Sequence, residues 1–138
     1  MATDPGTETN RTGSLPARAS LAAVLAAAAN AGLVAAAQAV GIAPGFRALT
    51  YPPVVFLSVF GALGAAGVYA LLDRRVAEPA ATFRRVALAV LVVSFVPDLA
   101  LLAADPAATV AGVVVLLAMH VVVAGIAVEL LVPWRGER

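Results

Sequence analysis

Two ionisable side chains, Asp98 and His120, fall inside long apolar runs, and any chemistry this chain performs at membrane depth starts from them. A carboxylate or an imidazole is costly to hold in hydrocarbon, and where such groups occur they mark proton relays, ion paths or interhelical pairs. Imidazole titrates near neutral pH when unperturbed and has two distinct nitrogens, so an Asp98–His120 contact would respond to protons. Asn30 lies in another apolar run, and Ser94 sits one helical turn before Asp98. Between them Pro97 removes a helix hydrogen bond and frees the carbonyl of Val93, a demand that Ser94 can partly meet. Asn30, Ser94, Asp98 and His120 are therefore the candidate intramembrane polar cluster. Their commonest use would be interhelical hydrogen bonding, with a proton or ion pathway as the sharper alternative.

Other chemistry is poorly served. One histidine and no cysteine fall short of the usual zinc ligand sets, so no metal site is expected. No serine–histidine–acid arrangement can be defended from spacing, no catalytic residue is assigned, and no cofactor is called for. The basic residues form short clusters beside apolar runs and lack the broad basic face of nucleic-acid binders.

The elements that must position these residues are four apolar stretches, Ser14–Val40, Val54–Leu72, Val86–Ala104 and Thr109–Val132. The chain of 138 residues is 62% hydrophobic and 12% charged, against about a quarter charged in a soluble domain. About 20 apolar residues cross roughly 30 Å of hydrocarbon as a helix. Barrel strands would alternate, and Val113-Val114-Val115-Leu116-Leu117 does not. The expectation is an all-α, four-helix transmembrane bundle over residues 14–132, in contact with the lipid bilayer. A polar tail at 1–13, expected to be disordered, precedes it and a short tail at 133–138 follows. At 1.5 Å per residue, Asp98 lies about 10 Å below the outer end of its span and His120 about 15–20 Å. Asn30 reaches a similar depth, so the three could meet in the outer half.

Arginine placement predicts orientation. All nine basic residues are arginine, and with the N-terminus inside, every one but Arg47 falls on the cytoplasmic side. Arg74, Arg75, Arg84 and Arg85, in the joint Asp73–Arg85, are the topology-setting group. The reading is a multi-pass cell-membrane protein with both termini cytoplasmic. Within the joints, Glu78-Pro79 is a helix-start signal, Asp105 is expected to cap the fourth helix with Pro106 in its first turn, and Pro52-Pro53 to close the loop Gly41–Pro53. Glu129 is expected to reach Arg74, Arg75, Arg84 or Arg85, and Tyr51 and Trp134 to anchor opposite ends. Arg18, the apolar run and Ala37-Gln38-Ala39 also resemble a cleavable signal peptide, although the run exceeds the usual core.

Packing in lipid relies on small residues. Ser58, Ala62, Ala66 and Ala70 make one smooth ridge, widened by Gly61, Gly64 and Gly67; Ala111, Ala118 and Gly125 recur at the seven-residue spacing of a helix seam. Such ridges serve the chain itself or a dimer.

The pattern Arg74-Arg75, Pro79, Thr82-Phe83-Arg84, then Ser94-Phe95-Val96-Pro97-Asp98, then Met119-His120 resembles a prokaryotic family of small four-helix membrane proteins catalogued as a domain of unknown function. The resemblance spans the four helices and implies the architecture derived above, with no established activity, ligand or partner. It favours a shared role for the histidine and the Ser…Pro motif. The function expected is that of a non-enzymatic structural or interaction protein, packing with itself or with other membrane subunits. The alternative is an oligomeric small transporter or proton-coupled channel using Asp98 and His120. A membrane-embedded enzyme acting on lipid or quinone has least support.

Overall fold

A computed structural model of the chain describes residues 13–133. Four α-helices occupy most of them: α1 (Leu15–Ala39), α2 (Tyr51–Arg75), α3 (Pro79–Ala104) and α4 (Val110–Leu131), with a short 3₁₀ turn at Arg47–Leu49. Each helix is long and apolar enough to cross a membrane. Large apolar side chains such as Val24, Phe56, Phe60, Leu88, Val93 and Val96 stand exposed on the outside, a surface that suits hydrocarbon and not water. The tail at 1–13 except for Gly13, Trp134 and the outermost arginines lie outside the described residues.

Local chemistry explains where each helix begins and ends. Ser14 caps α1, its hydroxyl accepting from the Ala17 N–H. The expectation that Pro52 and Pro53 belong to the loop is corrected: they fill the first turn of α2, which starts at Tyr51 and not at Val54. The first turn has no use for the N–H that proline lacks, so the residues that end one helix can open another. The start signal at Glu78-Pro79 operates, so α3 begins at Pro79 and carries Arg84 and Arg85 on its second turn, well before Val86.

The expected cap of α4 is also corrected. Asp105 instead closes α3, and its Oδ1 accepts from the Ala107 N–H at 2.9 Å. This local turn reverses the chain first, and Thr109 then caps α4 by accepting from the Gly112 N–H at 3.0 Å.

Helix α1 packs against α2 and α4, while α3 lies mainly on α4 and less on α2. The α1–α2 contact is made by small side chains: Ala22, Ala23 and Ala26 meet Ala62, and Ala19 joins Ala66. Ser58, Ala62 and Ala66 of the predicted ridge are all buried, and the smooth surfaces allow the close backbone approach that dispersion needs in lipid. The seven-residue stripe Ala111, Ala118 and Gly125 turns outward instead. Because α1 and α2 already bring alanine, a filled interior requires bulk from α4, and Val113, Leu116, Met119 and Leu131 provide it.

The first connection folds back over the bundle, burying Ala43, Phe46 and Leu49 with Val34, Val113 and Leu116. Gly41 and Gly45 turn it with positive φ. Its seat is Gly112, where a Cβ would lie 2.8 Å from the Cβ of Ala43 and 3.2 Å from Phe46 Cδ1. Gly112→Ala is therefore expected to destabilise the fold by about 1–3 kcal/mol through overpacking. Gly64→Ala, where nothing lies within 4 Å, should be neutral or slightly stabilising because alanine is the better helix former. Denaturant titration of both variants in detergent measures the difference.

Candidate functional site

Helix α3 is the loosest element. Only Phe83 and Asp98 along it are buried, although partly buried Ala80 and Leu101 also pack inward. Phe83 meets Tyr69 of α2 edge-to-face, with ring centroids 5.3 Å apart. Asp98 meets His120 of α4, its Oδ2 3.0 Å from Nδ1. The two attachments are 15 residues apart, about 22 Å along a helix. Between them α3 stands off α2 and leaves a cleft of about 400 Å³, within the range of small-molecule sites. Its walls are mostly apolar, and Asn30, Ser58, Asp98 and His120 all reach it. Leu57, Val68 and Val90, also on its lining, are exposed.

Hydrogen-bond logic fixes the polarity of this site. The Ser58 hydroxyl donates to the Val54 carbonyl at 2.7 Å, so toward Asn30 it can only accept. Asn30 Nδ2 supplies that bond at 2.8 Å and also points at the Met119 carbonyl at 3.4 Å. One amide thus joins α1, α2 and α4. Its Oδ1 is left without a partner although Asn30 is only 2% exposed.

His120 follows the same reasoning. Nδ1 lies 2.9 Å from the Leu116 carbonyl, which cannot donate, so this nitrogen carries the hydrogen and a neutral ring keeps its lone pair on Nε2. That N–H is aimed at Leu116, and Asp98 Oδ2, despite its proximity, accepts no hydrogen bond. The Asp98 side chain is 12% exposed and the imidazole 37%.

Of the sequence-predicted residues, the structure brings Asp98 and His120 into contact and places Asn30 on the wall of the same cleft. Ser94 turns away: its hydroxyl donates to the Leu91 carbonyl at 2.7 Å and serves neither Val93 nor Asp98. A serine hydroxyl in a helix readily bonds back one turn, and α3 remains helical through Pro97. Arg84 and Arg85 are exposed on α3, and Arg74 and Arg75 end α2. Glu129 is exposed and, among the described residues, forms no ion pair with any of these four. Arg18 does more than sequence reasoning assigned to it: Nη1 donates to the carbonyl of Leu131 at 3.1 Å. It satisfies an end carbonyl of α4 and places positive charge at the negative end of that helix. Its spacing in sequence, 113 residues from Leu131, carries no signal of that pairing. Phe83 was legible only as part of a motif.

Among the described residues, no three His, Cys, Asp or Glu side chains gather as a metal-ion site. No curated protein and no solved structure matches the chain. Residues 10–135, covering all four helices, match DUF6069, a family of unknown function, and the chain belongs to that family.

Proposed function

We propose that this is a non-enzymatic integral membrane protein that acts by binding, and that it takes a small, largely apolar molecule into the cleft between α2 and α3. The carrying observation is the stand-off of α3, which leaves about 400 Å³ of mainly apolar space reached by polar side chains. A membrane helix about 10 Å wide and 30 Å long fills over about 2,000 Å³, so the cleft suits a small molecule better than a helix of another subunit. Packing with other copies or subunits would use the outer faces. Asp98 and His120 are the two titratable side chains on the lining, which leaves the dyad without a further acid or base and supports binding over catalysis.

Native mass spectrometry tests this reading. The purified protein should retain one small apolar molecule, and Ala87→Trp combined with Ala124→Trp, both on the lining, should lose it. A ligand-free wild type, or equal retention by the filled variant, refutes cleft binding.

Proton-coupled transport is the second reading, favoured by the 3.0 Å approach of His120 to Asp98. In proteoliposomes carrying a pH gradient, it requires that the protein speed proton leak and that Asp98→Asn or His120→Ala return leak to the level of empty vesicles. Unchanged rates in both variants remove it.

The arginine distribution supports an orientation with both termini and the α2–α3 joint cytoplasmic. The chain lacks cysteine, so single cysteines report cleanly. Pro44→Cys should react with an impermeant maleimide applied to whole cells, and Ala77→Cys only after the membrane is opened.

A further inference from the structure

Among the residues that line the cleft, the two buried side-chain atoms without a hydrogen-bond partner, Asn30 Oδ1 and Asp98 Oδ2, are both acceptors. Asn30 Oδ1 has no partner, and its orientation is fixed because both neighbours of Nδ2 must receive a hydrogen. Asp98 Oδ2 receives no hydrogen bond, since the nearby N–H is committed to Leu116. His120 holds its hydrogen on Nδ1, which leaves Nε2 as an acceptor in the neutral ring. Facing donors are missing: Ser58 spends its hydrogen on Val54, and the remaining lining side chains are apolar. A carboxylate at this depth also calls for a positive partner, and His120, 3.0 Å away, is one only in its protonated form. Among the described residues no arginine lines the cleft; the nearest acid along α3, Asp105, is seven residues away and bonds within its own turn.

We infer that the cleft recognises a lipophilic amine, its protonated head donating to the Asp98 carboxylate and its apolar body lying along α2 and α3. This rests on the cleft-binding reading and adds the chemistry of the ligand. An ammonium brings several N–H donors and one positive charge on a compact head, whereas an alcohol of equal chain length brings one donor and no charge. The acceptor-only wall favours the first.

Equilibrium dialysis of radiolabelled decylamine, decanol and decanoate against nanodiscs with and without the protein tests the inference. The excess over empty discs is the quantity read. Decylamine should bind at least about tenfold more tightly than decanol, the difference a charge-assisted hydrogen bond supports, and decanoate more weakly than either. Asp98→Asn, which keeps the side-chain shape, should bring decylamine down to the decanol level and leave decanol unchanged. Equal binding of amine and alcohol to the wild type overturns the inference, because His120 then already satisfies Asp98. So does an amine preference that survives in Asp98→Asn with native circular dichroism. If none of the three binds above empty discs, the cleft-binding reading itself fails, a result distinct from binding without preference.

Discussion

Close contact between alanine faces is the constraint from which the rest of this structure follows. In hydrocarbon there is little hydrophobic drive to bring helices together, so α1 and α2 hold each other through backbone approach and dispersion. Ala19, Ala22, Ala23 and Ala26 on one helix and Ala62 and Ala66 on the other permit it. Once those small faces are used, α4 has to fill the remaining volume with Leu116, Met119 and Leu131. Helix α3 has no comparable smooth face in the interior and is left attached at Phe83 and Asp98.

The polar groups follow the same division. Where α1, α2 and α4 meet, Asn30 is nearly sealed and both hydrogens of its Nδ2 are directed at acceptors. Where α3 departs, Asp98 and His120 face partly open space. Tight packing thus settles the amide into an architectural role, with its oxygen buried and unpartnered. A single layer of the bundle combines rigidity and availability because two kinds of helix contact meet there.

Much of this was legible from residue order. Four spans, the ridge on α2, the start of α3 at Glu78-Pro79 and the depth match of Asp98 with His120 all depend on local composition and helix rise, which sequence records directly. Cap choice was harder, since Asp105 and Thr109 are both competent caps and only the geometry of the reversal selects between them. The outward turn of Ala111, Ala118 and Gly125 was hidden for a different reason. Periodicity locates a face but not the neighbour it meets, and complementarity with α1 decided the matter. The cleft itself had no sequence signature, because it arises from what α3 fails to bury.

The position of the opening has a consequence for supply. Leu57, Val68 and Val90 are exposed on a surface that hydrocarbon would cover, so a molecule approaching the cleft would come sideways, out of the acyl chains. Occupancy would then track how strongly a compound dissolves in the bilayer, and two molecules of equal intrinsic fit would compete according to their oil-to-water distribution. A compound scarce in the surrounding fluid would reach the protein at a far higher local abundance.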